Sequence, residues 1–254
     1  MGTADLAVRH DIFNRFKDGT TLRASGLARL GAGFTLAASY AEGIAQPTFF
    51  DLYGFFPGSF IGNPALKPES SRGFELSLRY RRGPFDAALT GYRQRLRDEI
   101  VDNADFTSTV NAPGTSRRAG VEAELGWRLR DALRVSANYA FLDATQPSET
   151  GSVRERRRPR HSGSLALDGA FRKLTYGASL AFVGAHLDSR DSPPFDVVRL
   201  DSYWLGGLRV AYAVRPGIEI FGRAANAINA RYQDVFGYRT EGRSVYAGIR
   251  LSGR

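Results

Sequence analysis

The sequence predicts an all-β fold, an antiparallel transmembrane β-barrel with about twelve strands present, short turns at one rim and long loops at the other. Three observations lead there. Apolar and polar side chains alternate with a period of two through most of the 254 residues, as in strands whose two faces meet different surroundings. Connections between those strands are short and long by turns. The apolar faces, as far as the alternation delimits them, hold no charge, while the opposite faces carry Arg and Glu that hydrocarbon would penalise.

Taken in order, Leu6 to Arg9 alternates only briefly. From Leu22 to Leu30 the pattern is clear, with Leu22, Ala24, Gly26, Ala28 and Leu30 on one face and Arg23, Ser25, Leu27 and Arg29 on the other. Gly31-Ala32-Gly33 turns the chain and Phe34, Leu36, Ala38 and Tyr40 run back, giving a hairpin. Periodicity then stops from Glu42 to Ser70, where glycines and prolines mix with Phe49, Phe50, Tyr53, Phe55, Phe56 and Phe60. A connection this long in a compact domain is usually functional.

Phe74 to Tyr80 and Phe85 to Leu89 flank a turn at Arg82-Gly83-Pro84, and Asp98 to Gly114 is again long and polar. Val121 to Leu129 and Leu133 to Phe141 flank a minimal turn at Arg130-Asp131. Ala144 to Pro159 is a loop with a run of arginines. Leu165, Leu167 and Tyr176 to Phe182 pair about Arg172-Lys173, and Leu187 to Val198 connects onward. Leu208, Val210 and Tyr212 join Ile218 and Ile220 through Val214-Arg215-Pro216-Gly217, and the long stretch from Ala227 to Gly242 precedes Val245, Ala247, Ile249 and Leu251.

Nothing in a soluble sandwich requires every second loop to be long, whereas an outer-membrane barrel has short periplasmic turns and long extracellular loops. Strands of about 10 to 12 residues also suit a tilted crossing of the hydrocarbon better than the usual globular sheet. Trp127, Tyr139, Phe141, Tyr80, Tyr40, Tyr212 and Trp204 fall near strand ends, where aromatic girdles are expected. Two other readings stay open. A complete twelve-stranded barrel, pore or autotransporter-like, requires its first and last strands to pair. A soluble β-rich binding protein requires its apolar faces to be buried against one another.

Composition narrows the function. At 43% hydrophobic the chain can bury a core, yet no run approaches the roughly 18 apolar residues of a spanning helix, so any crossing is by strands. Met1-Gly2-Thr3-Ala4-Asp5 shows no export signal, which fits either an internal protein or a fragment. The net charge of +9 comes from 35 Lys+Arg against 26 Asp+Glu. It is spread along the strands rather than gathered in one groove, which argues against a nucleic-acid partner. The absence of Cys excludes disulfides and thiolate metal sites.

Catalytic signatures are missing. His10, His161 and His186 lie far apart, without the spacing of a metal site. Gly31-Ala32-Gly33 fails as a dinucleotide turn because Leu36 stands where a third glycine belongs and a strand follows. No catalysis, cofactor or metal is expected. Two loop features are candidates for binding: the aromatics Phe49, Phe50, Tyr53, Phe55 and Phe56, with Phe60 beside them, fit a flat or apolar ligand. Arg154, Arg156, Arg157 and Arg158, with Arg160, fit an anion or lipid phosphates. Mutual packing of the aromatics and solvation of the arginines are the plain alternatives.

Asn63-Pro64-Ala65-Leu66-Lys67-Pro68-Glu69 resembles the NPxLKPE-like segment that precedes a strand in TonB-dependent outer-membrane receptors. Gln46-Pro47-Thr48-Phe49 with Leu52-Tyr53, Gly120-Val121-Glu122, and Asn226-Ala227-Ile228-Asn229-Ala230-Arg231-Tyr232 followed by Gly242-Arg243 are similar to that family in the same order, so the resemblance spans Leu36 to Leu251. It implies a barrel of about 22 strands in the outer membrane, closed by an N-terminal plug and importing a scarce ligand such as a ferric siderophore or cobalamin with energy from TonB. Leu52-Tyr53-Gly54-Phe55 and Gly237 to Arg243 lean toward the cobalamin branch. On this reading residues 1–254 are the C-terminal part of the barrel, with plug and TonB box absent, and Tyr238 joins the loop aromatics as a ligand contact. The final Leu251-Ser252-Gly253-Arg254 departs from the aromatic terminus common in the family.

Overall fold

The computed structural model describes residues 1–103, 105–148, 151–190 and 196–252. Strands β1 (Gly2–Asp11), β2 (Gly19–Gly31) and β3 (Phe34–Ala45) open the main sheet. One helical turn, α1 (Phe49–Tyr53), and the short strands β4 (Phe55–Phe56) and β5 (Phe60–Ile61) fold the aromatic segment. Next come β6 (Glu69–Arg82) and β7 (Phe85–Arg97), then a small pair, β8 (Ile100–Asp102) and β9 (Thr109–Asn111). After β10 (Thr115–Arg130) and β11 (Leu133–Ser148), β12 (Gly151–Arg154) doubles back on the end of β11. β13 (His161–Phe171) and β14 (Leu174–Val183) precede a second small pair, β15 (His186–Ser189) and β16 (Val197–Leu200). β17 (Tyr203–Arg215), β18 (Ile218–Ala225) and β19 (Ser244–Leu251) follow.

The long strands pair antiparallel with their sequence neighbours in one sheet, in the order β1-β2-β3-β6-β7-β10-β11-β13-β14-β17-β18-β19, with β12 attached to β11. β1 and β19 are its two edges and do not pair with each other, so the closure that a complete twelve-stranded barrel requires is absent among the described residues. Two-residue turns at Ala32-Gly33, Gly83-Pro84, Asp131-Ala132, Arg172-Lys173 and Pro216-Gly217 all lie at one end of the sheet. Gly33 shows why the sequence needs glycine there: its φ is +92°, and a Cβ would come 2.5 Å from the Arg81 carbonyl oxygen. Every elaborated connection, including Ile12 to Asp18, lies at the other end.

Several strands are longer than the alternation suggests. β10 and β11 each run 16 residues, and β11 reaches Ser148, inside a stretch expected to be loop. Near the long-loop end both faces of these strands are polar. The period-two signal therefore disappears although the backbone ladder continues.

Directly paired residues point to the same face, so register carries face identity across the sheet. One face reads Leu78-Leu89-Ala123-Tyr139-Gly163-Phe182-Trp204 and, one step along, Tyr80-Ala87-Leu125-Ala137-Leu165-Leu180. The other reads Arg79-Ala88-Glu124-Asn138-Ser164-Ala181 and carries ion pairs: Arg134 to Asp86 at 3.2 Å, Arg250 to Glu219 at 2.6 Å, and Arg209 to Asp168.

Apolar side chains are left uncovered on the first face; Leu165 is 50% exposed and Trp204 49%. The buried apolar residues, Leu52, Leu66, Ala112, Ala144, Leu200 and Tyr203, all sit at or beyond the long-loop end. A soluble sandwich would instead bury the strand leucines between two layers, and the described residues form no such layer. Gly120, from the Gly-Val-Glu segment, lies on the polar face under Tyr92; a Cβ would meet the Tyr92 hydroxyl and the Phe141 carbonyl oxygen at 2.5 Å.

Candidate functional site

The long loops form two hydrogen-bonded assemblies, and each is built from residues far apart in sequence. The first joins the segments between β3 and β6 and between β7 and β10. Thr48 caps α1, accepting from the Asp51 N–H at 3.1 Å while the Asp51 carboxylate accepts from the Thr48 N–H at 2.8 Å, a reciprocal cap that fixes a helix far too short to persist alone. Asn63 then turns the chain, its Oδ1 accepting from the Ala65 N–H at 3.0 Å while its Nδ2 donates to the Thr109 carbonyl at 2.9 Å. Leu66 is 3% exposed beneath it.

Asn111 clamps Lys67 from both sides: its Oδ1 accepts from the Lys67 N–H at 2.8 Å and its Nδ2 donates to the Lys67 carbonyl at 2.9 Å. Glu69 accepts from the Ile100 N–H at 2.6 Å. The Asn-Pro-Ala-Leu-Lys-Pro-Glu segment is thus a staple between two loops. Arg15, from the connection after β1, adds bonds to the Pro64 carbonyl at 2.6 Å and to the Tyr53 hydroxyl.

This staple holds the aromatic cluster in place without covering it. Phe50 stacks on Phe60 with centroids 4.6 Å apart and lies 6.0 Å from Phe56, and Phe49 sits 5.0 Å from Tyr53. The rings do pack on one another, each pair contributing about 0.5 to 1.5 kcal/mol beyond area burial. Yet Phe49, Phe55 and Phe56 remain 80%, 66% and 56% exposed, so a fixed aromatic surface is left facing outward. Tyr238, also exposed, belongs to the loop between β18 and β19. The strands β7, β10, β11, β13, β14 and β17 intervene along the sheet, and among the described residues no hydrogen bond or ring contact joins Tyr238 to the Phe cluster.

The second assembly joins the loops after β11, β14 and β18 around Asp188, which is fully buried. Its carboxylate accepts from the Phe236 N–H at 2.7 Å, from the Arg157 Nε at 2.7 Å and from the Ser189 N–H at 2.9 Å. Burial pushes the Asp188 pKa up, but these three donors prevail and hold it below the usual carboxylate range. His186 lies 3.3 Å from the Asp234 carbonyl oxygen, the Tyr203 hydroxyl donates to Asp234, and Tyr203 stacks on Tyr232 at 4.3 Å. No sequence pattern announced this cluster, because its members come from three separate loops.

The arginine run is divided among different partners rather than gathered into one anion site. Arg157 is committed to Asp188, and Arg158 lies 3.6 Å from Glu155, which Arg118 holds at 2.8 Å. Arg160 pairs with Asp143 at 2.8 Å. Arg154 and Arg156 are exposed and have no carboxylate partner among the described residues.

Comparison with known proteins agrees with this architecture. A family model described as TonB dependent receptor-like, beta-barrel matches residues 3–227. Among solved structures, the siderophore receptor PirA from Acinetobacter baumannii superposes with a TM-score of 0.81 at 18% identity, over 98% of this chain and 43% of that one. The ferric-catecholate import receptor Fiu from E. coli K12 gives 0.75 at 19%, over 92% and 35%. The ferripyoverdine receptor of the outer membrane of Pseudomonas aeruginosa gives 0.74 at 16%, over 92% and 33%. The chain therefore spans between a third and under half of the length of these structures. A single antiparallel sheet with its tight turns at one end, its braced loops at the other and a family match over most of its length place this chain in the TonB-dependent receptor-like β-barrel family.

Proposed function

We propose that this chain supplies the C-terminal part of the barrel of an outer-membrane, TonB-dependent importer of a scarce ligand, a ferric siderophore. The observation that carries it is the division of the sheet. One face is uncharged and apolar over the middle of every long strand, the other holds ion pairs, and all the elaborated loops share one end. An apolar face without cover fits acyl chains, and a charged face fits an aqueous lumen. The bare edges β1 and β19 are not tolerated in hydrocarbon, so further strands must pair with them. Solved receptors of this fold are two to three times longer, which fits a remainder that contains those strands, a plug domain and the segment that engages TonB.

Ligand capture falls to the exposed aromatics Phe49, Phe50, Tyr53, Phe55 and Phe56, held on a stapled loop, with Tyr238 on the last loop. Aromatic faces presented rigidly lose little entropy when a flat iron chelate stacks on them. Arg154 and Arg156, free of carboxylates, are available to an anionic ligand. The test uses the full-length receptor and three probes: a ferric tris-catecholate, a ferric hydroxamate and cyanocobalamin. One iron chelate should bind, and joint replacement of the five loop aromatics by Ala should weaken it at least tenfold while the barrel stays folded. Tight binding of cyanocobalamin alone would move the assignment to cobalamin, and unchanged affinity in the variant would remove the aromatics from the site.

A further inference from the structure

Register reveals a basic patch that the sequence hides, because it begins where the alternation ends. On β7, Arg93, Arg95 and Arg97 occupy successive positions on the face of Phe85, Ala87 and Leu89. Arg95 lies directly opposite Arg72 of β6 and Arg117 of β10. Beyond Arg117 the same row continues through Thr145 to Arg154. All these arginines are exposed.

None of Arg93, Arg95, Arg97 and Arg117 has a hydrogen-bond or ion-pair partner among the described residues. Arg72 faces Glu42, whose carboxylate already accepts from the Tyr40 hydroxyl at 2.6 Å and from the Leu22 N–H at 3.2 Å. Asp143, in the row of Arg93, is occupied by Arg160 at 2.8 Å. On the opposite face Arg118, Arg134, Arg209 and Arg250 each meet a carboxylate, while Arg23, Arg79 and Arg128 there have no carboxylate partner among the described residues but do not oppose one another in a row. Like charges directly opposed in a sheet repel one another, so a row of three with a further charge above and below calls for anions supplied from outside.

The height of the patch says where those anions come from. From Ala119 to Leu129 the apolar face of β10 spans ten residue steps, about 34 Å of strand. At a tilt of ~40° this is about 26 Å of height, close to the ~25 Å apolar band of such barrels. Arg117 stands one same-face step beyond Ala119 and Arg72 one beyond Phe74, while Arg93 is level with Ala119 and Phe74 at the rim of the band, which puts the patch at headgroup level. The guanidinium fork matches phosphate oxygens in a bidentate way.

We propose that Arg72, Arg93, Arg95, Arg97 and Arg117 form a docking site for the phosphate groups of a multiply phosphorylated lipid of the surrounding leaflet. The site rests on the membrane placement proposed above. It differs from the arginine run after β11, which is spent largely on loop ion pairs.

The experiment measures binding of bis-phosphorylated lipid A, and of the same lipid with its phosphates removed, to the full-length receptor in detergent micelles. The wild type should prefer the phosphorylated lipid at least tenfold. The triple variant Arg72→Gln/Arg95→Gln/Arg117→Gln should lose that preference while still migrating as a folded barrel on an unheated gel. Arg215→Gln, at the opposite rim, should retain it. Equal binding of the two lipids by the wild type, or full preference in the folded triple variant, would overturn the proposal. So would inorganic pyrophosphate competing as strongly as the lipid, which would assign a free-anion site instead. A receptor that binds no detergent and remains soluble without it would refute the membrane placement, a result distinct from the loss of phosphate preference.

Discussion

Asp188 is the residue whose removal should loosen three loops at once. In Asp188→Ala the N–H groups of Phe236 and Ser189 lose their acceptor in a site where the carboxylate is fully buried. Each orphaned buried donor costs about 1 to 3 kcal/mol, so the loop assembly should lose roughly 2 to 6 kcal/mol of local stability, partly offset if water enters. Asp188→Asn keeps one acceptor and should cost about half as much. Since ~1.4 kcal/mol is a tenfold change in an equilibrium, a 3 kcal/mol loss should speed amide exchange at Phe236 about a hundredfold. Exchange in the middle of β10 should not change.

The sign of the pH dependence follows from the depressed pKa. Above about pH 4 the carboxylate is ionised in both the ordered and the open loops, and its contribution is complete. As the pH falls below about 4 and through the lower folded value, that contribution is lost. Hydrogen exchange with mass spectrometry at pH 7 reads the substitutions, and near-ultraviolet circular dichroism between pH 5 and 2 reads the titration. Unchanged Phe236 exchange in Asp188→Ala would refute the reasoning.

Other consequences are equally direct. Asn111→Ala should free the Lys67 backbone and raise proteolytic nicking between residues 46 and 68, with ligand affinity falling because the aromatic surface is no longer fixed; limited proteolysis checks it. Leu125→Arg, in the middle of the apolar face, should cost about 2 to 4 kcal/mol and reduce the folded fraction on an unheated gel, whereas Ser136→Arg on the opposite face should be tolerated. Gly120→Val should lower refolding yield, because the added carbons meet the Phe141 carbonyl and the Tyr92 ring; replacing Tyr92 with Ala as well should restore only part of it.

The hairpins and the alternation of turn lengths were legible in the sequence because strands between two contrasting environments print a period of two. Leu22 to Tyr40 and Val121 to Phe141 show this directly. The outer ends of β7, β10 and β11 were not legible, since both of their faces carry mainly polar side chains and no hydrophobic contrast marks the register. That is also why Arg93, Arg95 and Arg97 could not be assigned to a face until their partners were known. The aromatic loop was visible by composition, but its helix and small strands depend on the Thr48 cap and on Asn63, Asn111 and Glu69 acting across loops. The bonds of Asp188 to Arg157 and Phe236 join residues 31 and 48 positions apart, and local pattern carries no trace of such pairings.

The central claim is that the apolar face of this sheet meets lipid while the charged face meets water. The chain contains no cysteine, so single cysteines placed in turn from Val121 to Leu129 can carry spin labels without background. Collision rates with oxygen and with a water-soluble nickel chelate, measured in reconstituted membranes, should then alternate. Labels at 121, 123, 125, 127 and 129 should favour oxygen, and those at 122, 124, 126 and 128 should favour the chelate. An inverted alternation, or none, would contradict the account.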